Sequence, residues 1–520
     1  MAAAAPETPQ LATSSPEFTF DLGGFLSYLA GDHFHDMPGY YANADTGQYE
    51  FRESDEFLAM WEGFELLACS PWWTRAWTAQ EIILPPRATF LHCDATPCDY
   101  QAIEDADQGW WRLVTSTRAC CKDAVQRFPR DKMRTFQTFL RKVYKLDARR
   151  SVSGRKLDGR DNFFVVVRSF SDRQCKMNQD KVFSLWSQAR DECYKGYELD
   201  YKSPIEAVFT EVFTRMLKEA STSFVTKPWP DFRVLYGSGF GPTASLSGKP
   251  SWVQNFSHFD SSASMDAIMD RMTCSRLYRA AGWETGIMEV SGRELHLHGQ
   301  KVDKIRFVTN AVENASDKEN LKMVFTEWYG MLGTHLGSRD MTKVHVEVAR
   351  LTCADVYHAS LPPWQRLMKA ILFAMRNALF VSWRKINKEL DFQKMGDSEQ
   401  WRRALPLDYP WGSWWQDFIR TGDLEIVDGG YRDAVEAAMT GRAMFITGSL
   451  RLMGLCQPQA REGDEVWIVD GARMPFVLRP IEAQGSGMVQ YCMVGDCFVH
   501  GCMDGEYARS QQQRERITIV

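Results

Sequence analysis

The chain has 520 residues, 44% of them apolar, and a formal net charge of −6 at pH 7. That is too long for a single hydrophobic core and calls for roughly two to four domains. A mean hydropathy of −0.35 and a pI near 6.0 suit a soluble globular protein and give no electrostatic case for nucleic acid or an anionic membrane. The 13 cysteines are odd in number and scattered, which points to a reducing compartment rather than a secreted disulfide framework. The 18 tryptophans predict aromatic-rich cores.

Residues 1–20 read as a disordered leader without the basic and apolar regions of a signal peptide. Ser54 is placed to cap a helix carrying Phe57, Met60, Trp61, Phe64, Leu67 and Ala68 on one face. That helix leads into Ser70-Pro-Trp-Trp-Thr-Arg-Ala-Trp-Thr-Ala-Gln-Glu81, which packs three tryptophans, one arginine and a Gln-Glu pair into a short span. If the segment is one helix from about Trp73, then Trp73, Trp77 and Gln80 share a face and Thr74, Thr78 and Glu81 lie on the next. Glu81 then stands at the edge of a tryptophan wall, where apolar surroundings can raise a carboxyl into acid/base use. The alternative is a buried tryptophan helix whose Glu81 pairs with Arg75 or caps a neighbouring element. Ile82 to Leu84, Pro85-Pro86 and Ala88 to His92 read as helix end, turn and strand, an α-then-β unit.

From Trp110 to about Asp158 the pattern is helical, closing in a basic loop from Arg149 to Lys156 that reads as a solvated connection. Ser203 to Glu206 forms a capping box for a helix with Ile205, Val208, Phe209, Val212, Phe213 and Met216 on one stripe. Strand-like Leu295-His-Leu-His298, ending at Gly299, sets His296 and His298 on one face, but no third ligand accompanies them. A long helical region is expected from Glu313 to about Glu389. Its most apolar part, Ala370 to Trp383, is too short and too charged to span a bilayer. Trp411 to Trp415 and Asp428-Gly-Gly430 mark a transition. Short strands then follow at 443–447, 465–469, 473–479, 490–494 and 497–500, predicting a small antiparallel sheet or partial barrel. Cys492, Cys497, His500 and Cys502 lack a paired Cys-x2-Cys knuckle, and strand alternation sets Cys497 and His500 on opposite faces. No metal site is expected there.

The segment from Ser70 to Glu81 resembles the closing motif of the fungal HET (heterokaryon incompatibility) domain, Trp-x-x-Arg-x-Trp-x-x-Gln-Glu, with Trp72, Arg75, Trp77, Gln80 and Glu81 at its fixed positions. Downstream, Asp180-Lys-Val-Phe-Ser-Leu185 resembles the family's Asp-Lys-Val-Tyr-x-Leu segment. Asp200-Tyr201 resembles its Asp-Tyr-Ser box, and Pro250-Ser-Trp252-Val253 its Pro-Ser-Trp box. The C-terminal region is similar as well, through Gly463, Asp464, the stretch from Gly471 to Arg479, and Tyr491 onward to Gly501, Gly505 and Glu506. Typical members open with Tyr-x-x-Leu-Ser-Tyr-x-Trp-Gly and Trp-Ile-Asp-x-x-Cys-Ile-Asn-Gln. Neither occurs before residue 70, so the expectation is a HET-type protein lacking the first half of that domain. The resemblance implies a fold similar to the flavodoxin-like Toll/interleukin-1 receptor (TIR) domain. It also aligns Glu81 with the catalytic glutamate of NAD-cleaving TIR enzymes, whose Trp-Cys-x-x-Glu offset is similar to Trp77-Thr-Ala-Gln-Glu81.

The expected fold class is therefore mixed α+β and α/β. The divisions are a partial TIR-like HET domain over 21–108, a helical region over 109–260, a mainly helical domain with short strands over 261–435, a small antiparallel β-domain over 436–508 and a tail over 509–520. The resemblance implies a cytoplasmic protein of heterokaryon incompatibility, non-self recognition and cell-death signalling. It would act through protein partners and self-association, without nucleic acid, membrane, metal or cofactor. The alternative is a TIR-like NAD glycohydrolase in which Glu81 stabilises the oxocarbenium-like ribosyl transition state and Trp73 or Trp77 stacks on the nicotinamide.

Overall fold

The computed structural model describes residues 20–31, 34–92, 94–115, 119–153, 163–188, 196–222, 232–239, 248–258, 271–272, 274–313, scattered positions from 315 to 348, 350–358, 364–366, 429–482, 489–507 and 514–520. The expected leader up to residue 19, the Trp411 to Trp415 segment, Asp428 and most of the helical region expected over 313–389 lie outside the described residues. The chain divides into two compact units, Met1–Asp158 and Gly159–Val520.

The first unit begins with β1 (Phe20–Asp21), α1 (Gly24–Ala30), the hairpin β2 (Tyr40–Ala42) and β3 (Tyr49–Phe51), α2 (Asp55–Ala68) and α3 (Thr78–Ile83). It continues with β4 (Thr89–His92), β5 (Ala95–Asp99), α4 (Tyr100–Thr115), α5 (Ala119–Arg127) and α6 (Arg130–Ser153). Helix α2 forms as its pattern predicts, with the Ser54 hydroxyl accepting from the Phe57 N–H at 3.1 Å and the apolar face fully buried. Its Trp61 and Phe64 meet Phe25 of α1 and Phe136 of α6, with Phe25 edge-on to both Trp61 and Phe136. The sheet has the order β1-β5-β4, parallel between β1 and β5 and antiparallel between β5 and β4. This does not establish the doubly wound parallel sheet implied by the resemblance, and the unit is described as mixed helix and sheet. The boundary expected at residue 108 falls inside α4.

In the second unit α7 (Phe163–Phe170), α8 (Asp180–Phe183) and α9 (Ile205–Thr222) precede the sheet. Helix α9 carries its predicted stripe, with Val208, Phe209, Val212, Phe213 and Met216 buried. The sheet is built from β6 (Glu289–Ser291), β7 (Glu294–Val312), and, after the hairpin β8 (Val356–His358) and β9 (Trp364–Arg366) and helix α10 (Gly429–Met439), seven more strands. These are β10 (Arg442–Thr447), β11 (Met453–Cys456), β12 (Glu465–Val469), β13 (Phe476–Glu482), β14 (Val489–Asp496), β15 (Phe498–Val499) and β16 (Glu515–Ile519). The path β12-β13-β14-β16-β7 closes on itself through a β7–β12 pairing, and the C-terminal half of β7 carries β10, β11 and β15. The result is a closed C-terminal barrel rather than the partial one expected.

Three expectations are corrected here. The strand expected to end at Gly299 runs on to Val312, with Val302 and Ile305 buried in the barrel core and Lys301 and Lys304 exposed, and a register shift against Val466 and Trp467 of β12 interrupts the two-residue alternation there. Residues assigned to a helical domain with short strands therefore supply the longest described strand of the barrel. The supposed tail over 509–520 contains β16, whose Ile517 and Ile519 are fully buried and which bridges β14 to β7. Strand β11, all four residues buried, has no polar alternation to reveal it.

Because Ile517 fills the barrel at its closing strand, Ile517→Ala is expected to cost about 2–5 kcal/mol in urea denaturation. A cost well under 1 kcal/mol would place β16 outside the core.

Candidate functional site

The tryptophan segment does not form one helix. Pro71–Thr74 make a tight 3-10 turn capped by the Ser70 hydroxyl, and the backbone straightens at Arg75 (φ −82°, ψ 141°) before α3 starts. The Thr78 hydroxyl fastens this break by reaching the carbonyls of Trp72 and Arg75, both at 2.8 Å. The break separates the tryptophans. Trp73 is 2% exposed, donates its indole N–H to the Leu67 carbonyl at 2.6 Å and packs on Phe90 and Phe139, while Trp77 is 42% exposed. The two rings therefore do not share the single helix face expected of them. Glu81 is exposed, and its carboxylate accepts the Trp72 indole N–H at 2.8 Å. A solvent-facing carboxylate holding an indole is a packing clamp. The low-dielectric setting that acid/base chemistry needs is not built around it among the described residues.

A residue read as part of a solvated loop secures this region. Arg150 is the continuation of α6, four residues beyond Leu146 and seven beyond Val143, and it faces inward. Its guanidinium donates to the carbonyls of Ile82, Pro85 and Pro86 at 2.5, 2.9 and 2.6 Å, pairs with Glu104 at 3.1 Å and covers the Tyr100 ring. It thus satisfies the orphan carbonyls that end α3 and the proline turn after it. Beside it the Tyr100 hydroxyl donates to Asp147 at 2.5 Å. Burial raises the Asp147 carboxyl to about 7, aided by Glu104 and Asp107 and opposed by Tyr100 and Arg150, and burial raises Asp107 to about 6. The run of inward residues Phe136, Phe139, Leu140, Val143 and Leu146 could have revealed Arg150, since helical spacing carries it onto the same face.

In the second unit the motif residues meet in pairs. Asp180, at the start of α8, accepts the Tyr201 hydroxyl at 2.7 Å, and Phe183 packs edge-on to the same ring at 5.1 Å. Lys181 is buried and donates to the carbonyls of Ser171 and Arg173. Asp200 is exposed and holds its turn through the Ser203 hydroxyl and the Lys202 N–H, which keep its carboxyl below the ordinary value. Trp252 is fully buried with its indole N–H on the Arg293 carbonyl at 3.0 Å, and Ser251 accepts the Met493 N–H of β14. In the barrel, Asp464 takes a two-pronged bond from Arg479 at 2.8 and 2.9 Å plus the Arg461 N–H, closing a turn that Gly463 enters at φ +90°. Gly501 and Gly505 are turn residues, and Glu506 accepts the Asp504 N–H at 2.7 Å.

One charged centre escaped sequence reasoning. Asp496, 3% exposed at the end of β14, pairs with the buried Arg442 of β10 and accepts the Gly237 N–H at 2.8 Å and the Gln457 amide at 3.3 Å. Burial alone would raise its carboxyl, but Arg442, Arg271 and the Gly237 N–H outweigh burial and hold it below the ordinary range. The adjoining cavity, lined by Tyr236, Gly237, Arg271, Gln457 and Asp496, measures about 10 Å³, the size of one water molecule and too small for a substrate. A charge at each end of otherwise apolar strands was the available signal.

Residues 419–519 match the model of the Het-6 beta-barrel domain. The match spans α10 and β10 to β16, and it points to a protein related to heterokaryon incompatibility. No curated protein and no solved structure matches the chain. Within the C-terminal barrel Cys497 and Cys502 are core residues, and burial pushes both thiols up, which keeps them protonated. Cys492 is half-buried, and the His500 N–H goes to the Met453 carbonyl. Among the described residues no three His, Cys, Asp or Glu side chains are arranged to hold a metal. His296 lies 3.2 Å from the Thr518 hydroxyl and 3.6 Å from Glu294, and His298 is exposed. Among the described residues no helix is long and apolar enough to cross a membrane.

Two measurements follow from this geometry. Asp496→Ala leaves Arg442 buried without its carboxylate and should cost about 3–5 kcal/mol of barrel stability; a loss below 1 kcal/mol would show that the pair is not buried in solution. In the first unit the folded state keeps protons on Asp147 and Asp107 that an unfolded chain releases near pH 4. Stability is therefore full below that pH, falls as pH rises through 6 and 7, and levels off above. After allowance for solvent screening, helices α4 and α6 should be about 1–3 kcal/mol less protected from amide exchange at pH 8 than at pH 5. Asp147→Asn should flatten most of that slope.

Proposed function

We propose that this chain acts in heterokaryon incompatibility as a cytoplasmic non-self-recognition and cell-death signalling protein that works through protein contacts. The observation that supports the reading is the Het-6 barrel match over 419–519, together with the use made of the shared motif residues. Asp180, Tyr201, Trp252, Asp464 and Arg479 are tied into hydrogen bonds and ion pairs that shape a scaffold. A framework of this kind suits a protein whose action lies in the surfaces it displays. An exposed Glu81 engaged with Trp72 gives no comparable support to the NAD-cleaving alternative.

Induced expression in a filamentous fungus tests the proposal, with hyphal growth and viability as the readout. Growth should arrest with the natural sequence and recover with Arg479→Ala, which leaves Asp464 buried without its partner. Normal growth despite soluble, folded protein would remove the death-inducing role.

A further inference from the structure

We propose that the loop from Tyr278 to Met288 is a preformed docking site for a protein segment that presents a carboxylate beside an apolar side chain. The proposal deepens the protein-contact reading above and rests on it only for its biological meaning.

Tryptophan is ordinarily among the well-buried residues, yet Trp283 is 83% exposed and Ile287, four residues on, is 64% exposed. The Arg279 guanidinium lies over the Trp283 ring, 3.7 Å from its centre. Tryptophan and arginine are the residue types that dominate binding hot spots. Here they already stand in contact with each other.

The loop beneath them is fixed to the barrel. Arg279, Ala280 and Ala281 donate their N–H groups to the carbonyls of Met503, Arg473 and Ala472 at 2.7, 3.1 and 3.2 Å. Gly286 crosses the β12–β13 turn so closely that a Cβ there would sit 1.7 Å from the Asp470 carbonyl oxygen, and Gly505 (φ +83°) meets Gly282 from below. Side chains at these crossings would lift the loop away. A fixed backbone removes part of the ordering cost of association.

Charge selects the partner. The Arg279 guanidinium lies against the indole on an exposed residue, and among the described residues no carboxylate pairs with it. The neighbouring Glu284 is taken by Arg514 at 2.9 Å. The complement of a stacked, unpaired guanidinium is a carboxylate, and the complement of Trp283 and Ile287 is an apolar side chain. An anionic bilayer fits less well, since membrane recognition uses clusters of roughly four or more basic residues. This loop has one, beside the exposed acids Glu284 and Glu289.

Short displayed peptides selected on the full chain test the site. The enriched sequences should share Asp or Glu next to a large apolar residue. A synthetic consensus peptide should bind about tenfold or more weakly to Trp283→Ala, and Arg279→Glu should shift preference toward peptides with Lys in place of the acid. Both residues are exposed, so thermal melting should be unchanged in either variant. Enrichment without an acid, or binding indifferent to Trp283, overturns the proposal. So does Trp283-dependent binding to phosphatidylserine vesicles, or Trp283-dependent self-association in sedimentation, each of which would name a different occupant. Peptide binding can succeed where growth arrest fails, so the two readings fall separately.

Discussion

A carboxylate buried as deeply as Asp496 is tolerable only when cations and donors surround it, and much of the second unit is arranged to supply them. Arg442 comes from the first residue of β10, Gln457 from the end of β11, the Gly237 N–H from a turn ahead of the barrel, and Arg271 from the segment before β6. Arg271 in turn bonds the carbonyls of Ala437 and Thr440, where α10 ends. One charge therefore ties the barrel to the chain segments that precede it. The barrel closes by sharing β7 between two sets of partners, and Asp496 holds the far ends of that arrangement together.

Arg150 plays the matching part in the first unit. It is the point where α6, α4 and the α3 terminus meet, and its carbonyl partners are Ile82 in the last turn of α3 and Pro85 and Pro86 of the turn that follows. The Glu81 helix is thereby held at its C-terminal end by Arg150 and at its N-terminal side by the Trp72 clamp.

Elements with a strong period were legible before any coordinates. Helix α2 with its Ser54 cap, the stripe on α9 and five of the barrel strands follow from apolar spacing and turn residues. What stayed hidden depended on contacts distant in sequence. Strand β11 is buried on both sides and has no alternation to read, and β16 is short and opens on the charged pair Glu515-Arg516. The break at Arg75 was obscured because helical spacing of Trp73 and Trp77 looked like one face, while Pro71 and the Thr78 hydroxyl favour a turn. The Asp464–Arg479 and Asp180–Tyr201 pairs could be picked out as motif members, but their being partners could not, since 15 and 21 residues separate them.

The same division bears on where recognition can reside. Asp180, Tyr201, Trp252, Asp464 and Arg479 are engaged in internal hydrogen bonds and ion pairs, so changing them is expected to alter whether the scaffold stands rather than what it meets. Discrimination between partners needs side chains that are exposed, held still and under no obligation to the core. The Trp283 loop meets all three conditions: its large side chains face solvent, its backbone is bonded to barrel turns with Gly286 at a crossing where no side chain fits, and Trp283 and Ile287 are too exposed to serve the core. Exposed Trp77 on the first unit meets the first condition, but it lies in the same segment as the Trp72–Glu81 clamp. A scaffold that spends its shared residues on internal bonds leaves specificity to loops of the first kind.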